Sequence, residues 1–243
     1  MRKGICFLIF LMILCFMVTA FAAEPQNVSI GDFITFGNYE QDDDPDNGPE
    51  PIEWIVLDVL DGKALLLSRY ALEARPYHTE YVTGITWENC ALRGWLNDDF
   101  LNKAFSMEEQ SFILTTIVDN SASQGFSEWN TTGGNNTQDK VFLLSCAEAE
   151  RYLSVKSRKS DDNENVKARV APTQYAIKTG VYTDRYKKTE EGDEAGWWWL
   201  RSPGIDSFCT ARICTYGSID SMDFCHINGA VRPALWLDLN SDH

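Results

Sequence analysis

Apolar positions change their spacing several times along the chain, and each change marks an element. Over 28–39 (V-S-I-G-D-F-I-T-F-G-N-Y) apolar and polar residues alternate, which predicts a half-buried strand with turn residues at Gly31 and Gly37. The segments 53–60 and 63–70 flank Asp61-Gly62, the strongest short-range hairpin signal present, and both arms are apolar enough to bury a face. The spacing then lengthens to that of a helix. Leu92, Trp95, Leu96 and Phe100 make one apolar stripe behind a cap at Thr86, and Ser106 with Glu109 forms a capping box for a second, short helix.

The segment 118–140 is polar and rich in Gly, Asn and Ser, and reads as a long loop of the kind that is often functional. A short strand at 141–144 runs into a helix capped by Ser145 with Glu148. Almost no apolar residue occurs in 154–170, which is expected to be exposed or disordered. Pro172 and Gly180 bracket one more short helix, T-Q-Y-A-I-K-T.

The tail, 196–239, is the densest part. G-W-W-W-L-R-S-P-G places Trp197 and Trp199 on one face of a strand and Trp198 on the other, so both faces are expected to be covered. The segments 208–215 and 219–227 flank Tyr216-Gly217-Ser218 and read as a hairpin. A last strand, 230–239, carries Pro233, which confines its start to an edge or bulge. No solenoid repeat and no linker between self-sufficient cores occurs. The reading is one α+β domain, mostly antiparallel, in which opening strands join closing ones.

The first residues alter this picture. Arg2 and Lys3, an apolar run from Ile5 to Val18 and T-A-F-A-A-E-P have the three parts of a secretory signal peptide. The expectation is a signal segment at 1–23, cut after Ala22 or Ala23, and a single domain at 24–243. A retained membrane anchor is the alternative. Losing Arg2 and Lys3 takes the net charge from −15 to −17. So acidic a chain is expected to bind neither nucleic acid nor, after cleavage, an anionic membrane. Secreted or cell-surface placement follows, with Cys90, Cys146, Cys209, Cys214 and Cys225 retained.

T-W-E-N-C-A-L-R-G-W-L-N, T-Q-D-K-V-F-L-L-S, W-W-L-R-S-P-G and V-R-P-A-L-W-L closely resemble the bacterial family called domain of unknown function 6273, a resemblance that runs from 31 to 237, nearly the whole mature chain. That resemblance implies no activity. More remotely, the tryptophan strand, the hairpin and G-A-V-R-P-A-L resemble the end of C-type-lectin-like domains, closest to the branch of the formylglycine-generating enzymes. This implies a domain whose two ends share a sheet and whose long loops form the binding face.

Candidate chemistry is sparse. In formylglycine-generating enzymes two cysteines at similar spacing bind copper, so the resemblance makes Cys209 and Cys214 candidate Cu(I) ligands. Against this, residues five apart on a regular strand face opposite ways. If Gly217 centres the hairpin, Cys209 lies opposite Cys225 and a cystine can form; free or buried thiols are the reading preferred over both. Asp42, Asp44 and Asp46 echo the alternating oxygen ligands of a calcium loop, but the prolines around them fit that loop badly and a solvated hairpin loop is the simpler reading. Arg201 and Arg232, each beside a proline in apolar surroundings, are expected to pair structurally or, if exposed, to clamp an anion. Trp129, and an exposed ring of the 197–199 set such as Trp198, can stack on a sugar or peptide.

His78, His226 and His243 lack metal spacing, and neither a catalytic motif nor a phosphate loop occurs. The expected function is therefore an exported, non-catalytic binding domain for an extracellular carbohydrate or surface protein, requiring no cofactor. A copper-dependent oxidase and a structural module of an envelope assembly are the alternatives.

Overall fold

A computed structural model of the chain describes residues 28–129, 131–156, 164–222 and 225–240. The expected signal segment at 1–23 lies outside these. Phe33–Tyr39 (β1) pairs antiparallel with Glu50–Leu60 (β2), which turns into Lys63–Ser68 (β3). Asp61 and Gly62 both take positive φ, 50° and 72°, the backbone that a tight twisted hairpin turn requires. Glu73–Pro76 (β4) follows, then Ala91–Trp95 (α1) and Leu101–Ala104 (α2), joined by a π-helical stretch at Leu96–Phe100. Met107–Phe112 (α3) begins at the expected Ser106–Glu109 capping box.

Thr116–Val118 (β5) pairs with Thr137–Asp139 (β6), so the segment expected to be a loop is clamped at its two ends. Val141–Phe142 (β7) leads into Cys146–Leu153 (α4), capped as expected by Ser145 and Glu148. Of 154–170, the residues 157–163 are outside those described. Val155, Ala168 and Val170 are buried and reach the core, while Val166 stays exposed. Gln174–Thr179 (α5) is capped by Thr173 and ends at Gly180, with φ 119°.

Thr183–Lys188 (β8) and Glu194–Gly196 (β9) pair with each other. The tail supplies Trp198–Pro203 (β10), Thr210–Ile213 (β11), Ile219–Met222 (β12), Asn228–Val231 (β13) and Ala234–Asp238 (β14). Two five-stranded sheets result, in the orders β1-β2-β3-β14-β7 and β12-β11-β10-β13-β4. The first holds both ends of the described chain, as expected: β14 lies antiparallel between β3 and β7. All the pairings in these sheets are antiparallel except β10 with β13.

The expected single closing strand is instead two. Arg232-Pro233 breaks it, and the chain passes from one sheet to the other there. A proline cannot donate to a ladder, which makes this the natural place to leave one. The passage from β3 to β4 runs beside it, joined by Ser68 N to Pro233 O at 2.9 Å and Leu72 N to Val231 O at 3.0 Å. Trp54, Trp87, Trp198 and Trp199 are fully buried. Trp197 and Trp199 meet edge to face with centroids 4.7 Å apart, as the two-residue period requires. Among the described residues no helix is long and apolar enough to cross a membrane.

Candidate functional site

Beyond Pro203, the last residue of β10, three loops enclose a cavity of about 370 Å³. Thr86, Thr131, Thr132, Asp206 and Ser207 give it hydroxyls and one carboxylate, while Ile85, Pro203 and Ile205 give it apolar wall. Its size is within the range of small-ligand sites. The loops are tied together. Thr131 donates its hydroxyl to Gly204 O at 3.0 Å, and Gly84 N donates to Ser207 O. Glu88 accepts from Asn135 N at 3.2 Å and from its side-chain amide at 3.0 Å, and Asn120 Nδ2 reaches Asn135 O at 3.0 Å. Glycine is needed at 204, where a Cβ would stand 2.5 Å from Cys209 Cβ.

Thr86 is placed differently from the expectation. It makes no capping bond, because α1 starts later and is capped by the Cys90 thiol, which accepts from Arg93 N at 3.4 Å. Thr86 is one of the residues that line the cavity. A threonine before an apolar stripe reads as a cap from sequence; where its side chain lies depends on the fold.

The other sequence candidates separate. Trp129 is half-buried, its ring 5.2 Å from Phe126, two residues before the cavity wall at Thr131. Trp198 is not an exposed platform: it is fully buried and donates Nε1 to Ala168 O at 3.1 Å, and Trp197 and Trp199 are buried too. A strand inside a sheet has no free face for a ligand when both faces are packed. Arg201 is not an exposed anion clamp: it is buried and bound by Glu148 and by the carbonyls of Leu143 and Asp119 at 2.8 and 3.1 Å. Arg232 is buried as well, but its only hydrogen bond among the described residues runs from Nε to Ser68 O at 2.8 Å.

The possible cystine between Cys209 and Cys225 is not made; all five described cysteines are buried thiols, the reading preferred from the sequence. The hairpin register is the cause. Thr210 pairs with Met222 and Ile213 with Ile219, which centres the turn on Tyr216 rather than Gly217 and leaves Cys225 beyond the paired strands. The Cys225 thiol instead points to Glu80 O at 3.5 Å. Cys209 and Cys214 flank opposite ends of β11, about 16 Å apart at the strand rise per residue, and Cys214 Sγ lies 3.2 Å from Ser218 Oγ. The two thiols do not face one site. Burial pushes the Cys90 and Cys146 thiols up to about 12, so neither is a ready nucleophile at neutral pH.

Asp42, Asp44 and Asp46 do not converge either. Asp42 accepts from Asp44 N at 2.9 Å and Asp44 from Asp46 N at 3.2 Å, so these carboxylates fold their own loop. The carboxylates that gather are those of Glu40, Asp42 and Glu50, with oxygens within 4.8 Å of one another. Glu40 and Glu50 were missed because they meet only through the β1–β2 register, in which Tyr39 faces Glu50.

No curated protein and no solved structure matches this chain. Residues 61–239, more than half of the chain, match a family model described as domain of unknown function (DUF6273), which covers the tryptophan strand, both sheet crossings and every wall of the loop cavity. The chain belongs to that family.

Proposed function

We propose that this chain is an exported, non-catalytic binding domain of C-type-lectin-like type that holds an extracellular carbohydrate or surface protein in the loop cavity beyond β10. The observation that carries this is the cavity itself: about 370 Å³, with hydroxyl-bearing side chains set among Ile85, Pro203 and Ile205. Sugars present alternating hydroxyl edges and apolar ring faces, and a mixed wall of this kind answers both. Ties between the loops hold its shape in advance, which lowers the cost of ordering on binding.

Export rests on the signal-like residues 1–23, and the exclusion of nucleic acid on a net charge of −15. No cofactor is required by this reading. A glycan array and a pull-down of surface proteins, each run with the wild-type chain and with Asp206→Asn and Ser207→Trp, test it. Capture by the wild type and loss in Ser207→Trp are expected, with folding checked by circular dichroism. Capture that both variants retain in full would move the ligand elsewhere.

A further inference from the structure

A second cavity, of about 80 Å³, opens on the side of the molecule where the chain crosses between the sheets. Its walls carry an unusual charge for so acidic a protein: Arg69, Lys167, Arg169 and Arg232 against Glu190 and Glu191. Arg232 is 2% exposed, and its guanidinium rests over the Trp198 ring at 5.1 Å. Its Nη1 is buried with no hydrogen-bond partner among the described residues. No carboxylate salt-bridges it among the described residues, whereas Arg69 reaches Glu53 at 2.9 Å and Arg169 reaches Glu164 at 2.6 Å.

A buried guanidinium with an idle N–H is costly to leave so. Burial pushes its pKa down to about 9, which still leaves it charged at neutral pH. The nearest acid in electrostatic terms is Glu191, whose half-exposed side chain sits 3.5 Å from Arg69 Nη2 at the same cavity. A carboxylate of the chain's own thus already stands at the entrance without reaching Arg232.

We infer that this cavity is an anion site, in which Arg232 and Arg69 hold the carboxylate head of a small acid whose remainder extends past Phe33 and Tyr70. The volume corresponds to about two or three waters, enough for a planar carboxylate and too little for a sugar ring. Arg69 and Arg232 both line the cavity, and two guanidinium groups suit the two oxygens of a carboxylate. Phe33, 53% exposed, and the partly buried Tyr70 supply an apolar rim for the rest of the ligand. The site is independent of the loop cavity, and either can fail without the other.

The test is a titration of the full ¹⁵N-labelled protein at constant ionic strength with acetate, N-acetylglycine, glucuronate and inorganic phosphate, following the Arg232 Nε–Hε resonance. A saturable shift with the carboxylates is expected, about tenfold weaker in Arg69→Gln and tighter in Glu191→Gln, where the competing charge is gone. N-acetylglycine binding ahead of glucuronate points to a peptide terminus, the reverse order to an acidic sugar. No saturable shift in either the wild type or Glu191→Gln, binding that ignores Arg69→Gln, or response to phosphate alone would each overturn the inference.

Discussion

Arg201 and Glu148 meet through two N–H···O contacts, Nη2 to Oε1 at 2.9 Å and Nη1 to Oε2, and so bolt α4 to the tryptophan strand β10. Glu148 is at the same time the capping-box acid of α4, accepting from Ser145 N at 2.9 Å. One carboxylate therefore fixes a helix start and a buried cation. Replacing it as Glu148→Gln leaves the Arg201 side chain, 1% exposed, without its counter-charge. Glu148 itself is 27% exposed, so the loss is below that of a fully buried pair, about 2 kcal/mol. Urea unfolding of the variant against wild type measures this.

Alkaline pH should act through groups that burial keeps protonated. The Cys90 and Cys146 thiols are raised from 9.0 to about 12, and the phenols of Tyr39 and Tyr77 are raised too, first by burial. Tyr39 also donates to Glu73. The unfolded chain loses these protons from about pH 9 upward, while the folded one keeps them. Stability is then complete below pH 9 and falls between about 9 and 12, by about 1.4 kcal/mol per pH unit for each ionising group. Urea midpoints compared at pH 8 and about 10.5 check both sign and slope.

Gly229 is where β13 runs against the tryptophan pair. A Cβ there would lie 2.3 Å from Trp197 Cη2 and 2.5 Å from Trp199 Nε1. Both rings are buried, and Trp199 Nε1 is held by Arg75 O at 2.9 Å, so neither can yield cheaply. Gly229→Ala is expected to cost about 2 kcal/mol, again by urea unfolding, with a shifted near-ultraviolet tryptophan signal.

The cysteines give a chemical readout. Without reductant, Cys90, Cys146, Cys209, Cys214 and Cys225 should resist an alkylating reagent in the native protein, since all five are buried, and all should take label in urea. Mass spectrometry of the digest reads this directly. A peptide linking Cys209 to Cys225 would contradict the observed strand register.

What the sequence made legible was local. Asp61-Gly62, the capping boxes at Ser106 and Ser145, and the helix ending at Gly180 each depend on a few neighbouring residues, and each is where its chemistry predicts. The alternation of Trp197 and Trp199 was legible for the same reason. The division into two sheets was not, because it depends on partners far apart in the chain: β14 takes β3 and β7, while β13 takes β10 and β4. Turn registry failed by a single residue at Gly217, and that slip removed the Cys209–Cys225 pairing. Thr86, read as a cap, and Arg232, read as a structural pair or an anion clamp, have surroundings that appear only when loops and sheet crossings come together.

Chemical-shift mapping of the labelled protein, titrated with the glycan or surface protein that the capture screens retain, tests the binding reading most directly. Shifts gathered on 84–86, 131–132 and 203–207, and absent in Ser207→Trp, are the expected result. Shifts confined to other faces, such as the exposed β8–β9 hairpin, or the folded chain's failure to retain any glycan or protein, would contradict it.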